Sequence, residues 1–252
     1  MNSFRFKQFE VVQNFSAMRV NTDAVLLGAW MSIPQADGGV APRMLDIGTG
    51  TGVIALMAGQ RAAHAGTEAR IEAVEIDAGA CKDAGENFNA APWKGIEFVL
   101  HQKSLQELSN SLPDKFDLVF TNPPYFIDSL KSSEDAKVLA RHTDTLSQRE
   151  LLFYSTPLLK EGGTLAIILP VVEGEELLRK VEFMADVAVA AGGDTAALFP
   201  SRICYVHTVE RKPAKRLMLE FVKCAPSNRP TMRREQLVMM SVGAIKPTWD
   251  LT

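Results

Sequence analysis

The chain has 252 residues, 46% of them hydrophobic and 23% charged, with a formal net charge of −3. Those proportions fit one large globular domain, or a domain with extensions. No apolar run approaches membrane-spanning length, the first residues lack a signal-like apolar core, and with this net charge any affinity for nucleic acid must come from a local patch. The three cysteines, Cys81, Cys204 and Cys224, have neither paired nor metal-ligating spacing. The expectation is a reduced, cytoplasmic protein without a structural metal or an obligate protein partner.

The first segment, Phe4-Arg5-Phe6-Lys7-Gln8-Phe9-Glu10-Val11, alternates aromatic and polar residues as a strand or extended arm does. Its aromatics could cover a sheet edge. In Met18–Trp30, Thr22 or Asp23 is positioned to cap a helix whose apolar face is Val25, Leu26, Ala29 and Trp30. Pro34 to Pro42 is a linker containing glycine and proline. Residues 1–39 therefore read as an arm and helix preceding a core of residues 40–252.

The core opens with Arg43-Met44-Leu45-Asp46-Ile47, a short strand, followed by Gly48-Thr49-Gly50-Thr51-Gly52 and a helix from Val53. Strand, glycine loop and helix form the first unit of a doubly wound sheet, with glycines that let a ligand approach the backbone. A dinucleotide fingerprint needs G-x-G-x-x-G, but position 53 is Val and Asp46 precedes the loop. An acid there suits a cationic ligand better than a pyrophosphate. The next strand, Ala69–Glu75, ends in carboxylates; Glu75 is placed to take both ribose hydroxyls, and Asp77 to cap the helix from Ala78. A third strand, Ile96–Leu100, leads to His101-Gln102-Lys103-Ser104.

The fourth strand, Phe116–Phe120, runs into Thr121-Asn122-Pro123-Pro124-Tyr125-Phe126. Two successive prolines have no N–H for a sheet ladder, so the strand stops at Asn122 and leaves a stiff rim. The Asn122 amide oxygen and the Pro123 carbonyl are two acceptors for the two hydrogens of a planar amino group. Holding those hydrogens favours the more tetrahedral nitrogen of a transition state over the flat ground state. Tyr125 offers a face on which a base can stack. An ordinary Asn-Pro turn is the plainer alternative for this stretch taken by itself.

Beyond it, Gln148–Leu159 reads as a helix, Thr164–Leu169 as a strand, Glu175–Ala185 as a helix and Val187–Ala191 as a strand. Ile203–Glu210 and Leu217–Lys223 form a hairpin whose turn holds Arg211, Lys212, Lys215 and Arg216. The pattern from Arg233 to Val242 predicts a helix. From Arg202 to Arg234, nine basic residues stand against Glu210 and Glu220, an electrostatic footprint suited to phosphate, although a solvated turn is equally ordinary for any one of them.

The loop Asp46–Gly52 resembles the first motif of class I S-adenosylmethionine-dependent methyltransferases. F-R-F-K-Q-F at Phe4–Phe9, M-R-V-N-T-D at Met18–Asp23, L-L-G-A-W at Leu26–Trp30, N-P-P-Y-F at Asn122–Phe126 and A-R-H-T at Ala140–Thr143 are similar to bacterial tRNA(Val) adenine-N6 methyltransferases. The resemblance covers about Phe4 to Lys223. It implies a seven-stranded, mostly parallel class I methyltransferase sheet with a C-terminal antiparallel hairpin. It implies methyl transfer from S-adenosylmethionine to N6 of the adenine next to the anticodon, with tRNA as partner and no membrane. Asn122, Pro123, Pro124 and Tyr125 would be catalytic. Asp46, Gly48, Thr49, Gly50, Gly52, Glu75, Ser104, Thr22, Asp23 and Asn122 would hold the cofactor, and Arg211, Lys212, Lys215, Arg216, Lys7 and Arg141 the RNA. Many relatives carry an acid where Ser104 stands. Glutamine-N5 and DNA adenine methyltransferases share N-P-P-Y, which makes methylation of a protein glutamine, or of an amino group in rRNA or DNA, the alternative reaction; a non-catalytic RNA-binding module has no use for the paired acceptors.

Overall fold

The structure is a computed structural model that describes residues 2–111, 115–123, 146–190, 192 and 194–240. Pro124, Tyr125, Arg141 and the A-R-H-T segment fall outside the described residues, as does everything after Met240.

Strands β1 (Ser3–Arg5) and β2 (Glu10–Val12) form an antiparallel hairpin, followed by helix α1 (Thr22–Trp30). The core then alternates β3 (Arg43–Ile47), α2 (Val53–His64), β4 (Ala69–Glu75), α3 (Ala78–Asn89), β5 (Ile96–Gln102), α4 (Leu105–Ser111) and β6 (Phe116–Thr121). After the undescribed stretch come α5 (Gln148–Leu158), β7 (Leu159–Pro170), α6 (Val171–Ala190), β8 (Ala197–Val209), β9 (Arg216–Cys224) and β10 (Arg233–Met240). The main sheet runs β10-β8-β9-β7-β6-β3-β4-β5. β3 to β7 are mutually parallel, and β9 is antiparallel to both β7 and β8. The chain builds outward from β3 through β4 to β5, then returns to lay β6 on the other side of β3. The topological switch point, where open α/β sheets bind ligands, therefore lies between the tips of β3 and β6.

Two apolar layers cover the two faces of the sheet. α1 and α2 pack with Met44, Ile71, Ala73, Phe120 and Met218 on one face. On the other face, Leu45, Val119, Leu165, Ile167 and Leu219 pack with residues of α4, α5 and α6. β3 and β6 are almost wholly buried, as strands covered on both faces must be. Among the described residues, no helix is long and apolar enough to cross a membrane.

Four expectations from sequence need correction. Residues 187–190 continue α6 rather than starting a strand; the alanines at 185, 188 and 190 are strong helix formers, and Val187 remains 53% exposed with no sheet face to bury it. Residues 233–240 form a strand, not a helix. β10 pairs parallel with β8, from Arg233 opposite Arg202 to Met240 opposite Val209, and makes an eighth strand beside the seven expected. The free edge of β8 takes up the backbone groups of this segment, which outweighs its local periodicity. Asn21 caps α1, accepting the Ala24 N–H at 2.9 Å, and neither Thr22 nor Asp23 does so. Asp77 caps α3 as expected, through the Ala80 N–H at 2.7 Å.

The fourth correction concerns the arm, which covers helices rather than a sheet edge. The Phe9 ring meets Trp93 edge-on at 5.3 Å, and the following turn is fastened to α3 by two buried polar side chains. Asp83 accepts the N–H groups of Asn14, Phe15 and Ser16 and the Ser16 hydroxyl, at 2.7 to 3.1 Å. Asn87 accepts the Val12 N–H at 2.7 Å and donates to the Val12 and Thr51 carbonyls, each at 2.8 Å. Burial works to raise the Asp83 pKa, but the four hydrogen bonds outweigh it and hold the carboxyl below its ordinary value. A depressed carboxylate pKa contributes stability above the unfolded-state value near 4, and loses it as pH falls through the folded-state value. Asp83→Asn is expected to cost roughly 1–3 kcal/mol. Amide exchange at residues 12–17 should accelerate in that variant at neutral pH, and in the unsubstituted protein only in acid.

Candidate active site

A cavity of about 690 Å³ opens at the switch point, lined by the glycine loop, the tips of β4 and β6, the start of α3 and the arm. Gly48 and Gly50 have φ of +66° and +57°, and a Cβ on either would meet no protein atom within 4 Å, so both present bare backbone to the cavity. Gly52, at φ +81°, is closed in by Phe88, whose ring would lie 2.6 Å from an added Cβ. Four of the five loop amides are already engaged. Gly48 and Thr49 donate to the Val74 carbonyl, Gly50 to Glu75 Oε2 at 3.0 Å and Gly52 to the Thr49 carbonyl. A pyrophosphate cradle needs those N–H groups pointing at the ligand, so this loop does not provide one.

Glu75 lines the cavity where β4 ends. Its Oε1 accepts the Ile76 and Asp77 N–H groups at 2.8 and 2.9 Å, and its Oε2 holds Gly50. A carboxylate has about four acceptor sites, so one remains for a diol while the other three lock the loop against the strand tip. Asp46 stands behind the loop, fully buried and off the cavity surface, with Oδ2 accepting the Thr49 hydroxyl at 2.7 Å. Its Oδ1 has no partner within hydrogen-bond geometry. Burial pushes the Asp46 carboxyl up to about 7, opposed by the Thr49 hydroxyl and the Ala55 amide and assisted by the Glu75 charge. A buried carboxyl poised near neutrality becomes an anion most readily when a cation enters beside it, which fits a sulfonium ligand.

Across the cavity, Thr121 at the end of β6 donates to the Ile47 carbonyl at 2.8 Å and ties the two strand tips together. Asn122 and Pro123 follow and line the cavity directly. Ser104 also lines it, but its hydroxyl and N–H both bond Glu107 Oε2 at 2.9 Å, so Ser104 holds the start of α4 and its hydroxyl is already engaged. Thr22 does not reach the cavity. Asp23 turns away to pair with Arg216 at 2.7 Å, and the cavity wall at that point is made by Asn21 and Ala24. Sequence reasoning missed Ser16, Ala17, Met18 and Arg19 as wall residues; Asp83 and Asn87, the sixth and tenth residues of α3, gave no local sign that they would fold the arm over the pocket.

The basic hairpin divides. Arg211, Lys212 and Lys215 are exposed on the turn, whereas Arg216 is half-buried and ion-paired. Arg216 is opposite Pro170, the last residue of β7, so the turn projects from the same sheet edge as the cavity. Lys7 sits on the β1–β2 turn next to Gln8, which bonds Gln60, and is not part of the cavity wall.

The parallel sheet, glycine loop, acidic strand tip and Asn-Pro rim at the switch point define a class I S-adenosylmethionine-dependent methyltransferase. Solved structures agree in fold: a predicted O-methyltransferase from Agrobacterium tumefaciens aligns with a TM-score of 0.57 at 19% identity, over 90% of this chain and 92% of that one. A putative class I S-adenosylmethionine-dependent methyltransferase from Listeria monocytogenes aligns at 0.55 and 17% identity, over 85% of this chain and 62% of that one. The family model of the methyltransferase small domain matches residues 10–189. A tRNA1(Val) (adenine(37)-N6)-methyltransferase of Parabacteroides distasonis is 42% identical over 86% of this chain and 82% of its own length. The protein of the same name from Pseudoalteromonas translucida is 39% identical over 88% and 84%. The chain belongs to the tRNA1(Val) (adenine(37)-N6)-methyltransferase family.

The buried Asp46 generates a stability prediction. An acid whose folded-state pKa is raised destabilises the fold once the unfolded chain ionises, so the penalty grows from about pH 4 to pH 7 and then levels off. Three units correspond to about 4 kcal/mol at most. Asp46→Asn without ligand should therefore melt at a higher temperature than the unsubstituted protein at pH 8, with the gap closing near pH 4. Melting curves across that range check it.

Proposed function

We propose that this chain methylates N6 of adenine 37 in tRNA1(Val), with S-adenosylmethionine as donor. The observation carrying this reading is that Asn122 and Pro123 line the same cavity as the glycine loop and Glu75. The reaction of the named relatives supports it. So do three exposed cations on a turn at the cavity's edge of the sheet, which favour RNA over a protein glutamine.

When bound, S-adenosylmethionine supplies an electrophilic methyl group on a sulfonium. Glu75 accepts a ribose hydroxyl at its one remaining acceptor site, and the bare backbone of Gly48 and Gly50 allows the ligand close approach. The Asp46 carboxylate provides negative charge from behind the loop. Asn122 Oδ1 and the Pro123 carbonyl accept the two amino hydrogens of adenine and turn the nitrogen lone pair toward the methyl group. Their acceptors strengthen as the nitrogen becomes cationic, which is stabilisation confined to the transition state. No residue needs to remove a proton beforehand, because the proton leaves a nitrogen already made acidic by attack. Tyr125 stacks the flipped base and Pro124 keeps the rim stiff in this reading. Arg211, Lys212 and Lys215, with Arg141, contact phosphates; Arg216 holds the base of the turn through Asp23.

The test is incubation with labelled S-adenosylmethionine and bulk tRNA from a strain lacking the modification, followed by nucleoside analysis. N6-methyladenosine at position 37 is the expected product; label in protein glutamine, or none, overturns the reading. Asn122→Ala should lower kcat by about 10²–10³, while calorimetry finds S-adenosylhomocysteine affinity nearly unchanged. Glu75→Ala should do the reverse, raising the KM for S-adenosylmethionine by the equivalent of roughly 1–3 kcal/mol with a smaller effect on kcat, measured by initial rates at saturating tRNA.

A further inference from the structure

We infer that Phe15 is a stacking platform for a nucleotide next to the target adenine, at the rim of the active-site cavity; this rests on the tRNA reading above. Phe15 is 60% exposed, yet its backbone is fixed. Its N–H is held by Asp83 Oδ2 at 2.9 Å, its neighbours Asn14 and Ser16 are bonded to the same carboxylate, and its carbonyl lies against Gly79 in the first turn of α3. An isolated exposed phenylalanine is ordinary. This one lies just outside the cavity wall: it precedes the wall residues Ser16 to Arg19 in the chain, and it packs on Gly79, which sits between the wall residues Asp77 and Ala80. Met18, 47% exposed, adds a second apolar surface on that rim, and Arg19 a cation. The Lys82 ammonium lies 5.4 Å from the centre of the Phe15 ring.

A rigid aromatic face flanked by cations matches what a single-stranded nucleic acid requires, namely a surface for a base and charge for the adjoining phosphate. Flipping one base out of a loop breaks its stacking on both neighbours. A ring fixed at the rim restores one of those stacks on protein. The four hydrogen bonds from residues 14–16 to Asp83 fix the backbone that carries this exposed ring. The occupant inferred is a base of the anticodon loop, and not a protein side chain, because the Lys82 ammonium over the ring and the Arg19 guanidinium on the nearby cavity wall complement phosphate.

Stacking and phosphate contacts differ in salt dependence. Removing a ring weakens binding without releasing fewer counterions, whereas removing phosphate-binding cations flattens the slope of affinity against salt. Phe15→Ala should weaken binding of unmodified tRNA five-fold or more, by the loss of about 1–3 kcal/mol per stacked base, with the salt slope unchanged. Phe15→Trp should bind as tightly as the unsubstituted protein or tighter. Affinity for S-adenosylhomocysteine and the melting temperature should stay constant in both. Replacing Arg211, Lys212 and Lys215 with Glu is the contrasting variant, with weaker binding and a flatter slope. If Phe15→Ala binds tRNA normally, or loses affinity with a flattened slope, or is not rescued by Trp, the inference fails while the proposed reaction stands. If the unsubstituted protein does not methylate tRNA, the reaction itself fails.

Discussion

Helix α3 is the element on which the active site depends, and Asn87 is its pivotal side chain. One buried amide accepts from the Val12 N–H and donates to both the Val12 and Thr51 carbonyls. It therefore joins the arm, the helix and the glycine loop at one point. One turn earlier, Asp83 gathers four donors from three consecutive arm residues. A buried polar group must find partners or cost several kcal/mol, so each side chain confines the segment it holds to one position. The arm is thereby converted from a short hairpin into a wall of the cavity.

The same economy of shared contacts holds the loop and the strand tips. Glu75 spends three acceptor sites on backbone N–H groups, including one from Gly50, and so presents its fourth in a fixed direction. Thr121 bonds the Ile47 carbonyl and fixes the spacing between β3 and β6 immediately before Asn122. The mechanism proposed for Asn122 and Pro123 relies on positioning and needs this kind of support, because small displacements from reactive geometry cost large factors in rate.

A second polar cluster fastens the far end of α1. Arg202 reaches Glu235 with two nitrogens at 2.8 and 2.9 Å, donates to the Trp30 carbonyl and lies 4.2 Å from the centre of the Trp30 ring. The Trp30 ring nitrogen also donates to Glu235, and Ser32 is held by Glu220. The hydrogen bond from Arg202, aided by that from Trp30 and opposed by burial, keeps the Glu235 carboxyl below its ordinary pKa. Since Glu235 lies on β10, the cluster links the last strand to the helix whose beginning lines the cavity. With the Asp23–Arg216 pair at its other end, α1 is tied at both ends to the C-terminal hairpin sheet.

Much of this was legible in the sequence because it is encoded locally. The strand–glycine loop–helix unit, the acid ending β4, the Asp77 cap and the strand stopped by Asn122-Pro123 each follow from the conformational limits of a few adjacent residues. Short apolar runs rich in strand formers likewise placed β3 to β7. What tertiary structure decided was where side chains find partners across many residues. Asp83 and Asn87 look in sequence like polar positions of an amphipathic helix, yet both are buried because the arm, about 70 residues earlier, covers them. Arg216 reads as one more basic turn residue, but Asp23 neutralises it from 193 positions away. Residues 233–240 read locally as a helix, and the open edge of β8 makes them a strand instead. In each case the deciding energy is the satisfaction of a distant polar group or sheet edge, which no local window of sequence contains.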